Sequence, residues 1–276
     1  MSDTAMASVA PRWAPAPFTP ASTRRSTIRA IGALVLREMT TTYGKSPGGF
    51  LWAIVEPVAA IALLSFAFSL IFVAPPLGRH FALFYATGFL PFFLFLDVSQ
   101  KVGSALRFSR PLLGFAGVTW VDALCGRLVL NLLLHLAVAV LVIGGLFYLA
   151  DGAPRPAATG MALAYSMAAA LALAVGIANA YVTGAFPVWE RLWAILMRPM
   201  FIVSGVIFLF EDVPKPLQSW LEWNPLFHVT GAMRTAMYPT YEPHYLSPVY
   251  VFGLALAVAL IGASMLHRYH EEILQK

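Results

Sequence analysis

Six apolar runs, each close to bilayer-spanning length, divide the chain: residues 50–74, 81–98, 121–150, 158–183, 192–210 and 248–266. A helix needs about 20 apolar residues to cross a hydrocarbon core about 30 Å thick, so six such runs with short connections account for most of the length. Ahead of the first run the pattern changes. Ile28, Ile31, Val35 and Met39 recur at spacings of three and four, with Arg29, Arg37 and Glu38 on other faces. That pattern predicts an amphipathic helix over 27–42, lying at the membrane interface or packed on the protein's own cytoplasmic surface. Gly44, Pro47, Gly48 and Gly49 break the helix and turn the chain into the bilayer. Residues 1–26, with Pro11, Pro15, Pro17 and Pro20 and no continuous apolar core, read as a disordered tail. They also lack the apolar core of a secretory signal, which places the N-terminus in the cytoplasm.

The breaks inside and between the runs carry the next layer. Glu56-Pro57 puts a charge and a kink-former about two turns into the first span. Pro75, Pro76, Gly78 and Arg79 make a short outer turn, Gly88 and Pro91 are positions for a bend in the second span, and Asp151 to Pro156 close the third. Between Ser99 and Thr119 the hydropathy falls, and Lys101, Arg107, Arg110 and Pro111 mark a positive cytoplasmic loop with room for one short helix. The alanine-rich fourth run suits close helix approach. In the stretch from Glu211 to Ser247, Asn224-Pro225 is an N-cap followed by a first-turn proline, opening a helix whose apolar stripe is Leu226, Val229, Met233 and Met237. Trp220 and Trp223 precede it, residues suited to a membrane–water boundary. Two short helices dipping into the outer leaflet bury that stripe; a solvated loop leaves it exposed.

Composition agrees: 59% hydrophobic and 11% charged residues, with mean hydropathy +0.75, describe an all-α polytopic membrane protein with no room for a large soluble domain. With six spans and both termini inside, Arg79, Arg155, Lys215 and Arg234 lie outside, and the other fourteen of eighteen Lys and Arg lie inside or at the inner edge. The net charge of +5 sits at the ends of apolar runs, so it reads as orientation in the membrane, not as nucleic-acid binding. Cys125 alone excludes an intrachain disulfide and a cysteine-based metal cage.

Little in the chain resembles catalytic machinery. Gly44-Lys45-Ser46 lacks the glycine a phosphate-binding loop needs five positions earlier, where Met39 stands, so this chain is not expected to hydrolyse nucleotide itself. His267 and His270 lie three apart and are followed by Glu271 and Glu272, but no second histidine pair accompanies them and zinc needs at least three well-placed ligands, so they read as structural. Arg127, Asn131 and His135, spaced four and four, share one face of the third span. Glu56, Asp97, Asp122, Arg191 and Arg198 fall at similar depth toward the inner leaflet. Together these groups make either a polar ring at the cytoplasmic mouth of a conduit or a set of ion pairs that hold helices together.

Leu36-Arg37-Glu38, Tyr43-Gly44, Gly49-Phe50-Leu51-Trp52-Ala53 and Glu56-Pro57 resemble the opening signature of type-2 ABC exporter permeases, within them the capsular-polysaccharide export subunit. Ala105-Leu106-Arg107, Arg110-Pro111-Leu112-Leu113 and Trp223-Asn224-Pro225-Leu226-Phe227-His228 with Arg234 agree. The resemblance implies an ABC-2 type transmembrane domain over 27–276 and a bacterial inner-membrane homodimer. Each half then binds a cytoplasmic ATPase that carries ATP and Mg, with no cofactor or metal in this chain. The implied cargo is lipid-linked polysaccharide, with envelope-spanning capsule export proteins as further partners. ATPase contact falls on Arg37, Glu38, Tyr43, Lys101, Arg107, Arg110 and Pro111, and re-entrant half-helices at 215–238 cap the conduit. Trp52, Glu56, Arg127, Asn131, His135, Arg198, Trp220 and Trp223 are the conduit or substrate candidates; a basic inner mouth would draw the lipid phosphate. Trp52, Trp220, Trp223, Tyr238, Tyr241 and Tyr245 are either sugar-stacking groups or interfacial anchors. The competing readings are a permease for O-antigen or teichoic-acid precursors or small drugs, and a polytopic acyl- or glycosyltransferase.

Overall fold

A computed structural model describes residues 23–43, 48–113, 118–150 and 156–275, and among them there is no β-strand. The helices in chain order are α1 (Thr23–Glu38), continued by one π-helical turn (Met39–Tyr43), α2 (Gly49–Ser69), α3 (Phe81–Gly103), α4 (Ala105–Leu113) and α5 (Trp120–Leu149). After these come α6 (Ala158–Ala185), α7 (Trp189–Val203), α8 (Lys215–Leu221), α9 (Pro225–Met237) and α10 (Pro248–Gln275). Most of the expected disordered tail lies outside the described residues; α1 opens at Thr23, inside its last turn.

Five of the described helices, α2, α3, α5, α6 and α10, are long and apolar enough to cross a membrane, against six expected. The difference lies in the run 192–210, where α7 has 15 residues and stops at Val203. Its path ends because Gly205 takes a left-handed backbone, φ 70°, at no steric cost, and the following segment leaves helical geometry. Elsewhere α2 ends at Ser69, short of 74, while α3 continues to Gly103 and α10 to Gln275, beyond 98 and 266. Pro57 and Pro91 sit inside helices that continue past them.

The centre is α3, 72% of whose most apolar window is buried, while the corresponding value for α2 is 11%. Small residues set how closely the other helices approach it. A Cβ on Gly176 of α6 would lie 2.6 Å from Val102 Cβ of α3, and one on Gly262 of α10 would lie 2.9 Å from the Ala178 backbone of α6. Where apolar side chains gain nothing from leaving lipid, such close backbone packing is what associates helices. Outside the bundle's centre, α1 lies on α5: Leu34 is buried and meets the bare face of Gly126. Of the expected stripe, Ile31, Val35 and Met39 are half-buried, and Leu36 is exposed.

Candidate functional site

At its N-terminal end, α5 begins with a capping box. Thr119 accepts from the Asp122 amide and the Asp122 carboxylate accepts from the Thr119 amide at 2.9 Å. Asp122 thus serves a helix terminus and stands apart from the polar cluster. One turn further, Arg127 joins four pieces of the chain. Its Nε lies 3.3 Å from Glu38 of α1, and one amino group donates to the Lys101 carbonyl of α3 at 2.8 Å and to Ser104 at 2.7 Å. Its guanidinium also lies 4.1 Å from the ring centre of Phe108 on α4. Both Arg127 and Glu38 are buried, a setting in which a charge is tolerated only when paired and hydrogen-bonded.

The ladder continues along the same face of α5. Asn131 donates to the Arg127 carbonyl and accepts from Lys101 Nζ, both at 2.8 Å. Lys101 Nζ also lies 2.8 Å from Asp97 Oδ2, and His135 Nε2 meets that oxygen at 2.8 Å. The His135 ring stands edge-on to Phe93. The spacing of 127, 131 and 135 therefore delivers one connected network across α1, α3, α4 and α5. Beside its upper end a cavity of about 180 Å³ opens between α2, α3 and α5, lined by Trp52, Glu56, Phe93, Asp97, Lys101 and His135. Glu56 has no ion pair among the described residues.

Other expected members fall elsewhere. Arg191 and Arg198 are exposed on α7 and join neither ladder nor cavity. Of the groups assigned to the ATPase, Glu38 is turned inward onto Arg127 and the Arg37 guanidinium lies 5.3 Å from the Phe108 ring centre. Arg110 and Pro111 are exposed, and the Tyr43 side chain lies outside the described residues. Arg107 forms a two-pronged bridge to Glu190 at the start of α7, 2.7 and 2.8 Å. That hydrogen-bonded guanidinium holds the Glu190 carboxyl below the usual carboxylate range, and Glu190 in turn raises Arg107. Arg107 and Arg110 line a second cavity of about 230 Å³ with Leu106, Gly184 and Ile273.

The region between α7 and α9 holds the arrangement that sequence reasoning missed. Arg234, counted there as an outer loop cation, is fully buried on α9. It donates to the Phe208 carbonyl at 2.8 Å and the Val206 carbonyl at 3.2 Å, and its guanidinium lies 4.5 Å from the Phe84 ring centre. Thr230, one turn earlier, donates to the Ser204 carbonyl at 2.9 Å, and Asn224 donates to that of Val203 at 3.1 Å. So α9 and its cap supply the hydrogen bonds that α7 loses when it stops, as buried backbone polar groups require. The signal was present: Thr230 and Arg234, four apart in an apolar helix, have to satisfy something buried. Asn224 also caps α9 through the Leu226 amide, as its sequence predicts. Tyr238, Tyr241 and Tyr245 are interior groups, so sugar stacking by them would require this region to open, whereas Trp220 and Trp223 are exposed.

Bilayer-length helices around a buried α3 and a polar ladder near one end of them define a multi-pass helical membrane protein. Residues 29–238 match the ABC-2 type transporter family, and the chain belongs to that family, as a transport subunit rather than a catalytic enzyme. It is 30% identical over 242 residues to the polysialic acid transport protein KpsM of Escherichia coli, covering 88% of this chain and 93% of that one. It is also 24% identical over 251 residues to the capsule polysaccharide export inner-membrane protein CtrC of Neisseria meningitidis and 26% over 250 to BexB of Haemophilus influenzae. Each covers 89% of this chain and 92% of the relative.

Proposed function

We propose that this chain is the membrane subunit of an ATP-driven exporter that moves lipid-linked capsule polysaccharide out of the cytoplasm across a bacterial inner membrane. The observation that carries this reading is its similarity, along nearly the whole length of each, to transport proteins named for polysialic acid and capsule polysaccharide. In this reading two copies form the conduit, each binding a cytoplasmic ATPase that holds ATP and Mg. Both termini are cytoplasmic, and envelope-spanning capsule export proteins receive the glycan. The sixth crossing is α7 together with the unwound segment after Val203, and α8 and α9 are re-entrant elements dipping in from the outer side.

In this reading a route runs from ATPase to conduit through contacts within the bundle. Arg37, Arg107, Arg110 and Pro111 face the ATPase, joined by Tyr43. Behind them Arg127 ties α1, α3 and α4 to α5, so neither α1 nor α4 moves without loading that side chain. Arg107 passes displacement of α4 to α7, and α7 ends on carbonyls held by α9. A push at the inner surface is thereby carried to the outer cap through packed, hydrogen-bonded elements. Glu38 and Lys101 act within this hub; Trp52, Glu56, Asn131 and His135 lie along the cleft the hub borders. Arg198, Trp220 and Trp223 are assigned to the conduit surface between two copies.

Reconstitution with the ATPase tests the reading. Addition of the host's lipid-linked capsule glycan is expected to stimulate ATP hydrolysis several-fold, and glycan is expected to accumulate on the far side of the vesicle. Hydrolysis indifferent to glycan, with none transported, would sink it.

A further inference from the structure

Two cavities open toward the inner end of the bundle, and their chemistry is opposite. The one beside α4 is lined by two guanidiniums, Arg107 and Arg110. The one between α2, α3 and α5 is lined by the carboxylates of Glu56 and Asp97 against one ammonium, Lys101, with His135 beside them. Among the described residues no guanidinium lines it, and the only ammonium among them is already committed to Asp97 and Asn131. A phosphate placed there would meet two carboxylates in a medium of low dielectric, where like charges repel most strongly. The expected phosphate-attracting mouth is thus the wrong chemistry for this cleft.

What the cleft does offer is an aromatic plate beside uncommitted acceptors. Trp52 is 63% exposed, and Glu56 stands one helical turn from it on α2. Asp97 uses Oδ2 for both Lys101 and His135, leaving Oδ1 without a hydrogen bond among the described residues. A hydroxylated six-membered ring has an apolar C–H face and a rim of donors: the face suits an indole, the rim suits carboxylate oxygens, and no net charge is needed. We propose that this cleft binds an uncharged sugar residue of the exported glycan, with Trp52 against the ring face and Glu56 and Asp97 accepting from its hydroxyls. The lipid phosphate is held elsewhere. The cleft borders the sparsely packed inner half of α2, so a glycan entering sideways from the inner leaflet reaches it without crossing the bundle. The inference rests on the proposed function in taking a glycan as cargo.

The test uses the intact permease–ATPase complex in cells that make the capsule glycan. A photo-crosslinking benzoylphenylalanine is placed at Trp52 and, as a control, at Leu63, an exposed α2 position that does not line the cleft. After illumination, periodate staining of the purified permease is expected to reveal sugar at position 52 and none at 63. Purified complex is then titrated with capsule glycan freed of lipid and phosphate by mild acid, and separately with phosphatidylglycerol. Trp52→Ala is expected to weaken the glycan about tenfold or more, Trp52→Phe about threefold or less, and neither to change the lipid. Glu56→Leu is expected to weaken the glycan while leaving the complex's melting temperature unchanged. The proposal is overturned if position 52 captures no sugar while the same cells export normally, or if Glu56→Gln tightens phosphatidylglycerol binding, the mark of an anion site. A wild-type complex that neither binds nor exports glycan would overturn the proposed function together with it.

Discussion

A single buried cation organises the segment between α7 and α9. Arg234 spends its charge on the carbonyls of Val206 and Phe208 and on the face of Phe84, and its neighbour Thr230 takes the Ser204 carbonyl. Replacing it removes a buried charge but strands two carbonyls in an interior without water, at about 1–3 kcal/mol each. Arg234→Leu is therefore expected to destabilise the protein by about 2–5 kcal/mol, read as a melting temperature several degrees lower in detergent. Arg234→Lys keeps the charge but lacks the fork that reaches both carbonyls, and is expected to recover only part of the loss. An unchanged melting temperature in Arg234→Leu would mean that water or a backbone shift satisfies the broken segment. Near the start of α5, Arg127 has the same standing, except that its partner Glu38 is legible in the sequence as a charge on an amphipathic helix, while their meeting is not.

Among the elements, contacts without side chains decide as much as those with them. A Cβ on Gly88 of α3 would lie 2.9 Å from the Val206 backbone, whereas one on Gly144 of α5 meets nothing within 4 Å. The same substitution should then have opposite outcomes: Gly88→Ala is expected to cost about 1–3 kcal/mol by forcing α3 off the unwound segment, and Gly144→Ala to be neutral. Equal thermal stabilities of the two variants would refute that close approach.

The bridge between α4 and α7 makes a different kind of prediction. Glu190's carboxyl is held below its ordinary value by Arg107, so the bridge's contribution is complete above the unfolded carboxyl value of 4.5. It is lost as pH falls through the lowered folded value and is flat across neutral pH. Because both side chains are largely exposed, that contribution is under about 1 kcal/mol, and its importance is mechanical. Arg107→Glu is expected to uncouple glycan from ATP hydrolysis, and the exchanged pair Arg107→Glu with Glu190→Arg to restore most of the stimulation. Failure of the exchange would assign Arg107's effect to the ATPase surface instead.

For the molecule as a whole, the proposed orientation puts α1 and the end of α10 in the cytoplasm and α8 outside. With Cys125 replaced by serine, single cysteines at Arg29 or Glu272 are expected to react with a membrane-impermeant maleimide only after the cells are opened. One at Trp220 should react in intact spheroplasts; the reverse pattern would invert the topology.

Chain order and hydropathy alone determined much of this protein: its helical membrane class, the positions of α2, α3, α5, α6 and α10, the amphipathic α1, the Asn224 cap of α9 and the charged ends. Each depends on a local sum of transfer free energies or on a cap a few residues wide, which a linear pattern records. The resemblance around Glu56-Pro57 and Trp223-Asn224-Pro225 located the segments of interest in the same way.

Only the tertiary structure decided where α7 stops, that Arg234 is an interior group, that Glu38 turns toward Arg127, and that the described lining of the cleft at Trp52 and Glu56 sets two carboxylates against one ammonium instead of being basic. Those outcomes depend on which helix faces meet, and a charge in a window counts the same whether it faces lipid, water or a partner. Its effect on a ligand depends on the partner it finds across the bundle, a pairing separated by up to 89 positions for Arg127 and Glu38.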